Sequence, residues 1–131
     1  MALLLVVEDN EMNADMLLRR LKRQGFKTAW AVNGVHALDL LESLRPNLIL
    51  MDLSLPEMDG YQATRIIKGG PLRRIPIIVI SAHDLSNKER SLLLQHTQLI
   101  IKKGDYSRQE LVDNIETILD NQRDARKRSG A

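Results

Sequence analysis

Apolar positions along the chain alternate between two periods. Leu3–Val7 is an unbroken apolar run of strand length, closed abruptly by Glu8 and Asp9. From Asn13 the spacing turns helical: Ala14, Leu17, Leu18 and Leu21 recur at i, i+3, i+4 and i+7, and Gly25 marks a stop. Lys27–Val32 reads as a short strand ending at an Asn33-Gly34 turn. Val35, Leu38, Leu41 and Leu44 then repeat a helical face up to Arg45, just before Pro46. Leu48–Met51 is a third run, closed by Asp52. Pro56 and Asp59-Gly60 lead into a helix with Ala63, Ile66 and Ile67 on one side, broken at Gly69-Gly70-Pro71. Pro76–Ile80, rich in β-branched residues, closes at Ser81, and a polar helix follows from Ser86 to Gln95. Leu99–Ile101 is the fifth run, ending in Lys102-Lys103-Gly104. Leu111, Ile115, Ile118 and Leu119 mark a last amphipathic helix that starts near Ser107, with Glu110 as the far half of a capping box.

Five short apolar runs of the doubly buried kind, alternating with five helices, specify an α/β domain whose parallel sheet is covered on both faces. Right-handed crossovers make 2-1-3-4-5 the simplest order for such a doubly wound, flavodoxin-like sheet in a three-layer sandwich. A length of 131 residues allows one domain. It is placed at 1–121, with 122–131 as a basic, flexible tail or the start of a linker.

Composition changes this picture little and charge refines it. Apolar residues at 44% and charged ones at 27% are ordinary for a globular protein. No apolar run reaches the roughly 18 residues of a membrane span, and Met1–Val7 lacks the basic start of a signal peptide. The absence of cysteine excludes disulfides and thiolate metal sites and fits a reducing, cytoplasmic setting. The net charge of +2 comes from the tail, where Arg123, Arg126, Lys127 and Arg128 stand against Asp124. The remainder is close to neutral, which argues against a nucleic-acid partner.

In doubly wound sheets ligands bind beyond the carboxyl ends of the strands, where strand order reverses. Strand 1 delivers Glu8 and Asp9 to that edge, strand 3 Asp52, strand 4 Ser81, and strand 5 a lysine of the Lys102-Lys103 pair; strand 2, at the outlying edge, delivers only Val32, Asn33 and Gly34. Three crowded carboxylates repel unless a cation joins them. Magnesium suits them, because it takes few protein carboxylates and keeps positions open for water or phosphate. The competing reading, that Glu8 and Asp9 merely cap the first helix, accounts for one acid well but not for three acids and a lysine converging from separate strands. A carboxylate beside magnesium can attack phosphorus and become an acyl phosphate. Asp52 is the expected nucleophile, the lysine its partner before transfer and a phosphoryl oxygen's afterwards, and the Ser81 hydroxyl a donor to another phosphoryl oxygen.

The stretches Leu5-Val6-Val7-Glu8-Asp9-Asn10, Ile49 through Gly60 (with Asp52-Leu53-Ser54-Leu55-Pro56) and Pro76 through Ala82 resemble the receiver domain of bacterial two-component response regulators. The resemblance covers about 1–121. It implies that Asp52 is the phospho-acceptor, fed by a phosphohistidine of a sensor histidine kinase or histidine phosphotransfer protein, with a downstream protein target reading the result. It further implies that Asp9 and Asp52 bind Mg2+ directly, that Glu8 acts on the ion through water, and that the Ser54 carbonyl is a ligand. Ser81 matches the switch hydroxyl, and the spacing selects Lys103 as the family lysine. The resemblance implies a signalling phospho-acceptor that catalyses its own phosphotransfer and a slow autodephosphorylation, not a metabolic enzyme. This chain departs from the pattern at Gly104, where the family has proline after the lysine, at Ile100, where it has an aromatic switch residue, and over Leu92–Leu99, which lacks its small-residue turn.

The alternative function is a receiver fold that binds partners without phosphorylation. A flavin carrier on the same sheet needs a hydroxyl-rich phosphate loop after strand 1, where Glu8-Asp9-Asn10-Glu11 stands. A phosphohydrolase of the haloacid type needs an acid where Ser54 stands. His36 and His96 read as surface or helix-end residues, His83 as loop, Trp30 and Phe26 as packing, and Met51 and Met58 as filler. The basic residues Arg19, Arg20, Lys22 and Arg23 read as a solvated helix face.

Overall fold

The computed structural model describes residues 2–52, 59–81, 87–95, 97–102 and 108–129. Strands and helices alternate throughout: β1 (Leu3–Val7), α1 (Glu11–Arg23), β2 (Lys27–Ala31), α2 (Gly34–Leu40), β3 (Leu48–Asp52), α3 (Asp59–Lys68), β4 (Ile77–Ser81), α4 (Asn87–Leu94), β5 (Leu99–Lys102) and α5 (Arg108–Ser129). The strands form one parallel sheet in the order β2-β1-β3-β4-β5, the order expected as the simplest.

Side chains leave successive strand residues on opposite faces, so each continuous run feeds two cores. Leu5, Val7, Ile49, Met51, Ile77 and Val79 pack against Ala37 within α2 and Leu41 just after it, and Ala63 and Ile67 of α3. Leu4, Val6, Leu48, Leu50 and Ile78 pack against Leu21 of α1 and Leu111 and Ile115 of α5. This is the physical reason the runs contain no polar position until their carboxyl ends.

Local chemistry sets the helix boundaries. The Asn10 side chain accepts from Asn13 N at 2.9 Å and caps α1. At the other end Gly25 takes φ 95°, Gly25 N donates to Lys22 O and Phe26 N to Leu21 O, the paired closure that only a left-handed residue permits cheaply. Phe26 then packs on the same core as Leu21. Asn33-Gly34, expected as a turn, is instead the start of α2: Asn33 Oδ1 accepts from His36 N at 2.7 Å. The helix also ends earlier than the apolar spacing suggests. It gives way to tight turns through Glu42 and Ser43, and the Arg45 guanidinium donates to Leu41 O and Leu44 O. Val35 and Ile66, expected on buried faces, are 60% and 59% exposed. The small residues Gly34, Ala37 and Ala63 take the inward positions there.

Lys68, at the end of α3, donates to Arg73 O at 3.0 Å and Ile75 O at 2.6 Å and so ties the helix to the segment leading into β4. Burial lowers its pKa. The last helix differs most from expectation. Its backbone stays helical through 122–129, the stretch that charge marks as a loose tail. No glycine or proline interrupts that stretch before Gly130. Ser107, the near half of the expected capping box, lies outside the described residues. No described helix is long and apolar enough to cross a membrane.

Candidate functional site

The strands end in polar residues at one edge of the sheet, and the register aligns those ends. Val7 pairs with Met51, so Glu8 and Asp52 follow at the next step on neighbouring strands. Asp52 pairs with Ile80, and Ser81 with Lys102. Adjacent strands lie about 4.8 Å apart, so the ends of β1, β3 and β4 are side by side in that order. The edge strand β2 stands on the far side of β1 and does not adjoin β3.

Glu8 is 5% exposed and Ser81 3%, whereas Asp9 is exposed. The Glu8 backbone is held on both sides: its N–H donates to Ala31 O at 3.0 Å and its carbonyl accepts from Trp30 Nε1 at 2.7 Å. Glu8 Oε1 accepts from Asn10 N at 3.3 Å. The side chain that caps α1 is that of Asn10, and Glu8 meets the helix start through the N–H of that same residue. A buried carboxylate is costly without a compensating charge or donors, and this one sits one strand away from the end of β3.

Of the remaining site residues, Asp52 is described as the last position of β3, without its side chain, and Ser54 and Lys103 lie outside the described residues, as do Gly104 and His83. Lys102 is exposed at the end of β5. Ile100, at the position matched to the family's aromatic switch, is buried in the core on the α2–α3 side of the sheet. Among the described residues no three acidic or histidine side chains gather; the set read from the sequence needs Asp52 as its third carboxylate. Its donors are hard oxygens, which fit magnesium and not a soft metal.

Two residues carry more than the sequence reading assigned them. Asn10 is the cap, and the signal was present: asparagine directly before an acidic first turn. Trp30, read as packing, bonds to the carbonyl between the two acids, a contact across 22 residues that no local pattern announces.

Comparison with known proteins places these observations in context. Residues 4–116 match the response regulator receiver domain family. The chain is 38% identical over 89 residues to the polar-differentiation response regulator DivK of Brucella anthropi, covering 67% of this chain and 72% of that one. Its fold superimposes with a TM-score of 0.83 on the receiver domain of a signal transduction histidine kinase from Syntrophus aciditrophicus, at 31% identity and 92% coverage of both. The receiver domain of the sensor histidine kinase PA1611 from Pseudomonas aeruginosa PAO1 aligns at 33% identity and a TM-score of 0.75, over 92% of this chain and 96% of that one. It is described with a magnesium ion coordinated in its active site cleft.

Proposed function

The chain belongs to the response regulator receiver domain family of two-component signalling, and we propose that Asp52 accepts a phosphoryl group from a phosphohistidine of a sensor histidine kinase or histidine phosphotransfer protein. An Asp52 carboxylate oxygen attacks phosphorus, the bond from phosphorus to the donor imidazole breaks, and the imidazole nitrogen leaves with its electron pair and takes up a proton. The product is an acyl phosphate on Asp52. Glu8, Asp9, Asp52 and the Ser54 carbonyl would hold a magnesium ion. When bound, the ion supplies charge neutralisation at the phosphoryl oxygens, which dominates the energetics of such transfers.

The other residues act through charge and hydrogen bonding. The Lys103 ammonium pairs with the Asp52 carboxylate before transfer and with a phosphoryl oxygen after it. The Ser81 hydroxyl donates to another phosphoryl oxygen, which couples the end of β4 to the state of Asp52. The observation that carries this reading is the register that sets Glu8, Asp52 and Ser81 on consecutive strand ends while Asn10, not an acid, caps α1. A downstream protein reads the change. With Ile100 buried in the core, an aromatic flip is not the carrier, and the β4 end is the route that remains from Ser81 outward.

Incubation with acetyl phosphate and magnesium is expected to label the wild-type chain once, and Asp52→Asn to abolish the label. Undiminished labelling of Asp52→Asn overturns the assignment. A chain that neither binds magnesium nor takes up phosphate, yet still captures a partner, would instead be a phosphorylation-independent interaction module.

A further inference from the structure

β2 is the edge of the sheet and pairs with β1 so that Val6 lies beside Trp30 and Val7 beside Ala31. One step further, Glu8 N–H continues the ladder onto Ala31 O. β2 ends there, and the Glu8 carbonyl is met by a side chain: the Trp30 indole N–H donates to it at 2.7 Å. Both sides of one residue are therefore tied to β2. The peptide joining Glu8 to Asp9 has a set plane, and the two carboxylates leave the backbone in set directions. The half-buried indole also lines a groove of about 290 Å³ with Glu11, Met12, Asp15 and Leu18 of α1. Packing alone asks only for a flat apolar side chain at position 30. A donor aimed at the carbonyl between two acids at the strand edge asks for indole.

We infer that Trp30 is a positioning residue for magnesium binding, acting through the Glu8 carbonyl to orient the Glu8–Asp9 pair. The inference rests on the reading of these acids as metal-binding groups. Outer groups that orient metal ligands carry a measurable share of affinity, and loss of one hydrogen bond corresponds to about a fivefold change.

Calorimetric titration with magnesium chloride is expected to show Trp30→Phe, which keeps a ring and loses the donor, binding about fivefold more weakly than wild type. Trp30 is the single tryptophan of the chain, so its emission in the wild-type protein should shift along the calorimetric isotherm. This second readout does not depend on whether the variant folds. Equal affinities for wild type and folded Trp30→Phe overturn the inference and leave the metal site standing. Emission that ignores saturating magnesium, while heat is released, does the same. Absence of magnesium binding by the wild-type chain overturns both the inference and the reading on which it rests.

Discussion

After β1 the chain enters α1 through Asn10, whose side chain accepts from Asn13 N; after β2 it enters α2 through Asn33, whose side chain accepts from His36 N. The two corners use one capping device and lie on neighbouring strands. They differ in what precedes the cap: Glu8-Asp9 in the first, Val32 in the second. At the second corner Val32 N donates to His36 Nδ1, so that turn is closed by its own helix. At the first, the corner is held by its asparagine and by Trp30. The second corner shows that this joint can be made without an acid, whereas at the first the buried Glu8 carboxylate also accepts from Asn10 N.

That contrast can be attacked directly. The largest effect is expected from Asp9→Asn, which should weaken magnesium binding at least about tenfold while leaving the metal-free thermal midpoint unchanged or slightly raised, since an exposed charge near another acid is removed. The mirror change, Val32→Asp, places an acid at the second corner and should create no magnesium affinity in an Asp9→Asn background, because β2 does not adjoin β3. Recovery of binding there would dissolve the distinction between the corners.

A smaller and opposite pattern is expected from the caps. Asn10→Ala and Asn33→Ala should each cost about 1 kcal/mol in urea unfolding, with magnesium affinity changed less than about twofold. The Asn10 N–H that reaches Glu8 survives the substitution. Smallest is His36→Ala, at about 0.5 kcal/mol in the same assay, because the Val32 N–H it accepts lies at an exposed turn. A loss at His36 larger than at Asn33 would show that the second corner is held mainly by its histidine.

The framework of this molecule was readable residue by residue. The runs at Leu3, Leu48 and Ile77 contain no polar interruption because each strand feeds two cores, and the acids and serine that end them mark the edge of the proposed site. Where reading went astray, the local pattern was real and its orientation was not. Val35 and Ile66 belong to apolar spacings, yet they face outward because Ala37 and Ala63 take the positions over the sheet. The α2 spacing runs on to Leu44, but the Arg45 guanidinium on Leu41 O and Leu44 O ends the helix sooner.

Sequence by itself determined the alternation of strand and helix, the order of the sheet and the identity of the polar residues at the strand ends, because hydrophobic period and crossover handedness are properties of neighbouring positions. Only the tertiary structure decided that Glu8 is buried while Asp9 is not, and that an indole on the edge strand grips the carbonyl between them. Those outcomes depend on the register between β1 and β2. Register is a relation between segments some twenty residues apart, and no window along one segment contains it.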